Sequence, residues 1–117
     1  MLRHLLLLAL VATTVSSHAA CSFSHGPRLY VSGSKALDRG EIGRAIADLE
    51  EASRFMPESS EVQNHLGIAY EQAGRSEDAH RAWKRAVALD CSNQEAAKNL
   101  RDFERTAAVS GEARPEP

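Results

Sequence analysis

The chain has 117 residues, which is room for one small domain. Lys plus Arg total 14 against 16 acids, so the basic excess that marks a nucleic-acid-binding surface is missing. Aromatic residues are few, while alanine and arginine are plentiful and both favour helix, so the composition points to an all-helical domain.

The first twenty residues read as an address. Arg3 and His4 open the chain, and Leu5 to Val15 is then nearly all apolar, broken by Thr13 and Thr14. Such a run is too short to cross a hydrocarbon core of about 30 Å as a helix. With small residues following, it reads as a secretory signal peptide over 1–20. Two cleavage sites are compatible with the flanks. Ser17-His18-Ala19 fits the small-x-small rule and would leave Ala20 as the new N-terminus. His18-Ala19-Ala20-Cys21 resembles a bacterial lipobox with Cys21 as the lipidated first residue. Against that second site, His18 stands where the pattern wants an apolar residue, and the polar stretch from Thr13 to His18 separates the apolar core from Cys21. The expected destination is the periplasm or the exterior, with an outer-membrane lipoprotein as the alternative.

Sliding the chain against itself by 34 residues pairs Gly33 with Gly67, Gly40 with Gly74, Ala45 with Ala79 and Ala52 with Ala86. The same shift sets Leu49 against Trp83, Phe55 against Leu89 and Pro57 against Cys91. The segment 60–93 carries Leu66-Gly67-x-x-Tyr70, then Gly74, then Ala79-x-x-x-Trp83-x-x-Ala86. In period and pattern it resembles a tetratricopeptide repeat, a helix–turn–helix unit of 34 residues. The segment 26–59 resembles a diverged copy, keeping Leu29, Gly33, Gly40, Ala45, Leu49, Ala52 and Pro57 but having Ser32 and Ala36 where the later copy has Leu66 and Tyr70.

Local physics agrees with the resemblance. Gly67 and Ala79 are small where two helices of a hairpin must approach, with Tyr70 and Trp83 filling the space beside them. Gly40 and Gly74 stand where a positive φ ends the first helix of each unit. Pro57 stops the second helix of the early unit, and Pro27 suits the first turn of the opening helix. Helix starts are marked by Ser60-x-x-Gln63 and Ser92-x-x-Glu95, both at capping-box spacing, and by Ser76 with Glu77 and Asp78 behind it.

Beyond the second unit, Ala96, Leu100, Phe103 and Ala107 form one apolar stripe in an otherwise polar segment. That is the pattern of a terminal capping helix, expected over 94–107. The stretch 108–117 holds Gly, Pro and charge without period and is expected to be a disordered tail. The expected fold class is all-α: a short α–α solenoid of two helix hairpins and a C-terminal capping helix. Two units and a cap lie near the lower bound for a stable array, so a homodimer is compatible with this reading.

Catalytic motifs are not found: there is no phosphate-cradling glycine loop, paired-histidine zinc helix or nucleophile elbow. The chain reads as non-enzymatic, with no cofactor and no metal site. His65 and His80 fall on opposite helices of one hairpin, close enough to approach, but without further ligands at metal-binding spacing. Asp48, Glu50 and Glu51 read as a solvated helix face. Cys21 and Cys91 have two exclusive fates. In an oxidising compartment they would pair, for about 4 kcal/mol of stability on the loop-entropy argument. If Cys21 is lipidated, Cys91 is left over.

The family resemblance also implies a binding surface. Tetratricopeptide arrays present the first helix of each unit along a concave face that holds a peptide or partner helix. By period, the groove residues here are Tyr30, Ser34 and Leu37 in the first unit, Asn64, Ile68 and Glu71 in the second, and Lys98 and Asp102 in the cap. The chaperone-binding members hold a C-terminal carboxylate with a Lys/Asn/Arg clamp, which Tyr30, Ser34 and Asn64 do not reproduce. The implied partner is another protein or a peptide. No nucleic acid is implied, and a membrane only through a lipid on Cys21.

Overall fold

A computed structural model describes residues 24–112. The leader over 1–20, Cys21, and the end of the chain after Glu112 lie outside the described residues. Five helices follow one another: α1 (His25–Asp38), α2 (Ile42–Phe55), α3 (Ser60–Gln72), α4 (Ser76–Leu89) and α5 (Gln94–Glu112). α1 packs on α2 and α3 on α4 as hairpins; the hairpins join through α2 against α3, and α5 closes on α4 and α3. This is the short all-α solenoid that the 34-residue period implies.

Each hairpin is built on a large side chain seated over a glycine. A Cβ added at Gly33 would stand 2.7 Å from Leu49 Cγ, and one added at Gly67 would stand 2.6 Å from Trp83 Cδ1. Leu49 is fully buried and Trp83 nearly so. The two pairs are related by the repeat, so a leucine over glycine in the first unit becomes a tryptophan over glycine in the second. Ala45, Ala52, Ala79 and Ala86 are also fully buried, because a helix pair this close admits no larger side chain along its seam.

The turns are equally repetitive. Gly40 has φ of 73° and Gly74 of 74°. In the first hairpin Gly40 N donates to Leu37 O and Glu41 N to Ala36 O; in the second, Gly74 N donates to Glu71 O and Arg75 N to Tyr70 O. Both are Schellman caps, which satisfy the carbonyls left over at a helix end and depend on a residue that tolerates the left-handed region.

The helix starts differ from the sequence expectation by one residue. Ser59, not Ser60, caps α3, accepting from Val62 N at 3.3 Å. Asn93, not Ser92, caps α5, accepting from Ala96 N at 3.0 Å. Ser59 and Asn93 are themselves 34 residues apart, so the cap column obeys the period that the serine pattern misses. Ser60 is buried instead and ties three helix ends together: its Oγ donates to Ala86 O at 2.9 Å and accepts from Asn93 Nδ2 at 2.8 Å. Ser92 turns back to Asp90, whose carboxyl is held below its usual range by those two hydrogen bonds.

The core runs unbroken through the junction between the units. Ala36, Leu37, Leu49, Val62, Leu66 and Ala69 form one buried cluster, with Ile42, Ile46, Met56, Ile68 and Tyr70 packed against it. Burying a side chain such as Val62 or Leu66 contributes about 1.5–3 kcal/mol, so two hairpins sharing a core are far more stable than either alone. α5 continues to Glu112, five residues past the expected end at Ala107 and into the segment read as a tail. Ala107 and Ala108 favour helix, and Thr106 and Ser110 hydroxyls bond back to Asp102 O and Thr106 O.

Candidate protein-binding face

The first helices of the units, α1 and α3, and the cap α5 lie in succession and meet through polar contacts. The Tyr30 hydroxyl lies 3.5 Å from His65 Nδ1, with the rings edge to face at 5.2 Å. Asn99 Nδ2 donates to Asn64 Oδ1 at 2.9 Å. Burial raises the Tyr30 phenol above its ordinary pKa, and the negative fields of Glu61 and Glu95 add to the shift. Carboxylates from α3 and α5 therefore act on a side chain of α1, against a hydrogen bond with Ser34 that lowers the value.

A cleft of about 340 Å³ opens where α3, α4 and α5 meet. Ile68, Trp83 and Phe103 give it apolar walls; Glu71, Glu95, Asn99, Asp102 and Thr106 give it a polar edge. Ile68 and Phe103 are half-buried, and Glu71 and Glu95 are exposed. Phe103 is held from behind by Trp83, 5.6 Å away between ring centres, and by His80, stacked at 5.4 Å. Asp102 is engaged on both sides, by Lys98 Nζ at 2.7 Å and by Arg105. Those cations hold its carboxyl below the usual range, Lys98 being the main cause.

Of the residues expected along the groove, the structure brings Ile68, Glu71 and Asp102 together in this cleft. Tyr30 and Ser34 are half-buried on α1, and Lys98 is exposed but committed to Asp102. Two expectations are corrected. Leu37 belongs to the core, 9% exposed, because it lies on the side of α1 that meets its hairpin partner. Asn64 is 2% exposed and its amide oxygen accepts from Asn99, so it joins helices rather than facing a ligand. Phe103, Glu95 and Asn99 were missed as cleft residues. The repeat period does not mark them, since it sets Phe103 against Ala69, which is fully buried in the core.

The acidic run of α2 is also more than a solvated face. Asp48 accepts from Ser32 Oγ at 2.7 Å, Glu50 from Tyr70 Oη at 2.8 Å, and Glu51 lies 3.7 Å from His25 Nε2. Each carboxylate reaches a neighbouring helix. His65 and His80 do not meet: His65 turns to α1, and His80 Nε2 lies 3.1 Å from Glu104 on α5. Among the described residues no group of three His, Cys, Asp or Glu is placed to hold a metal ion. Nor is any described helix long and apolar enough to cross a membrane. Cys91 is exposed in the turn between α4 and α5; its expected partner, Cys21, lies outside the described residues.

Comparison with known proteins agrees with this architecture. Residues 60–93 match the tetratricopeptide repeat family. They form a tetratricopeptide repeat. The hairpin before it has the same glycine seat and the same Schellman turn, one period earlier. The chain is similar to cellulose synthase operon protein C of Escherichia coli strain K12, 40% identical over 63 residues, or 54% of this chain. Its counterpart in Escherichia coli O157:H7 matches to the same extent. The chain spans only 5% and 6% of the length of those two relatives. Repeats of this family bind other proteins, and the chain carries such an interaction module.

Proposed function

We propose that this protein is a non-catalytic binding module of the periplasm or cell envelope, holding a segment of a partner protein against α1, α3 and α5. The observation that carries the reading is the cleft at Ile68 and Phe103, where apolar side chains stay open to solvent beside a polar edge. A mixed surface of this kind suits peptide recognition. The basic start, the short apolar run and the small residues before Cys21 support export. The likeness to cellulose synthase operon protein C is a likeness of repeats, and we carry over the repeat rather than that protein's pathway. Cross-linking in native envelopes, with the captured proteins quantified, tests the assignment. Ile68→Ala and Tyr30→Ala should each reduce capture while helicity is kept. Equal capture by both variants and the parent chain would remove this face from consideration.

A lipid-anchored accessory subunit of an outer-membrane assembly is the second reading, favoured by Ala19-Ala20-Cys21. The intact mass of the mature protein decides between them. A mass beginning at Cys21 with acyl chains means a tethered subunit. A mass beginning at Ala20 or Cys21 without lipid means a soluble module.

A further inference from the structure

We infer that the cleft between α3 and α5 selects a basic partner segment, one that places an apolar side chain against Ile68 and Phe103 and a lysine or arginine between Glu71 and Glu95. The inference deepens the binding role proposed above and rests on it.

Charge complementarity carries the argument. Lys98 and Arg105, cations of α5 near the cleft, are both drawn to Asp102. Glu71 and Glu95 line the same cleft from α3 and α5, are exposed, and among the described residues make no ion pair within 4.0 Å. Other acids at helix contacts are engaged, as Asp48, Glu50, Asp78 and Glu104 are with Arg44, Tyr70, Arg75 and His80. Two carboxylates outside any ion pair therefore flank the apolar floor; Lys98 and Arg101, which line a separate pocket with Glu95, lie outside the cleft lining. The described residues lining the cleft include Glu71, Glu95 and Asp102 and no lysine or arginine, so an incoming segment meets carboxylates there. An acidic segment would be repelled there, and a neutral one would gain only apolar contact. Arginine or lysine can lay its aliphatic stem on Ile68 while its charge stays at the wet rim beside the carboxylates. Being exposed, these charges act mainly on encounter rate and salt dependence, and the apolar contact sets the rest of the affinity.

The test is selection of a displayed library of random 12-residue peptides on the immobilised full chain. Enriched peptides are then measured by fluorescence anisotropy at low and at raised salt. The expected enrichment is for Lys or Arg next to an apolar residue. The double variant E71Q/E95Q should bind such a peptide about tenfold more weakly at low salt and lose most of its salt dependence. Ile68→Ala should weaken binding at both salts. Circular dichroism of each variant checks the fold, which two exposed Glu→Gln changes leave intact. Enriched peptides without basic bias, or E71Q/E95Q binding like the parent chain, would overturn the charge inference. If such binding still depends on Ile68, the cleft stands as the binding site and only its selectivity is refuted. Enrichment that ignores Ile68, or no enrichment at all, overturns both readings.

Discussion

Asn99 Nδ2 donates to Asn64 Oδ1 across α5 and α3, and this pair stands 34 residues beyond Tyr30 and His65, which meet across α3 and α1. The same two columns thus join successive first helices twice. The chemistry changes from an aromatic edge contact to an amide pair, but the geometry of the junction is kept. A solenoid is held together by neighbour-to-neighbour interfaces, so this contact fixes how each unit is placed on the next.

Asn64 is buried, and removing its partner strands a polar group. Asn99→Ala should destabilise the chain by about 1–3 kcal/mol, the cost of leaving a buried amide without its hydrogen bond. Urea unfolding of the parent and variant measures the difference. A double-mutant cycle with Asn64→Ala should show non-additivity, since the second change removes the group that the first leaves unpaired. Additive losses would mean that water takes the place of Asn99.

Gly67 carries Trp83 directly on its backbone. Gly67→Ala places a methyl 2.6 Å from Trp83 Cδ1, and overpacking of this kind costs about 1–3 kcal/mol. Trp83→Ala removes the indole that the added methyl meets, and should make that methyl less damaging than in the parent. Thermal unfolding of the two single variants and the double variant reads this directly. A Gly67→Ala midpoint equal to the parent's would show that the indole moves aside freely.

Gly74 has open space around it but a φ of 74°. The cost of Gly74→Ala is therefore conformational, about 1 kcal/mol, and Gly74→Asn should cost less because Asn tolerates the left-handed region. Equal losses for Ala and Asn would argue against the cap as the cause.

Tyr70 is raised to about 12, by burial first and then by its hydrogen bond to Glu50. Its neutral form is favoured by folding. The stability it contributes is complete below the ordinary phenol pKa of about 10 and is lost as pH rises through about 12. Ultraviolet titration of Tyr30→Phe, which leaves Tyr70 as the remaining tyrosine, should show a phenol titrating well above 10. An ordinary midpoint would mean that in solution Tyr70 is neither buried nor bonded to Glu50 in this way.

Trp83 is the chain's sole tryptophan and is packed by Phe103. Phe103→Ala should admit water beside the indole and shift its emission to the red, and should loosen α5 before the two hairpins unfold. An unchanged spectrum would place Trp83 out of reach of the cap.

Much of this architecture was legible beforehand because the period is written in small residues. Gly33, Gly67, Gly40, Gly74 and the buried alanines occupy positions where backbone approach or backbone conformation admits little else, so their recurrence fixes hairpins and turns without knowledge of any partner side chain. What the period could not settle was the direction of individual side chains around a helix. A rotation small beside the spacing of one residue decides whether Leu37 faces solvent or core, and whether Asn64 meets a ligand or Asn99. Capping likewise depends on which of two adjacent polar residues leaves helical conformation, and the packing of Ser60 against Ala86 O assigned that to Ser59. The cleft at Ile68 and Phe103 and its unpaired Glu71 and Glu95 exist only once α5 lies against α3 and α4, because Ile68, Trp83 and Phe103 come from three successive helices.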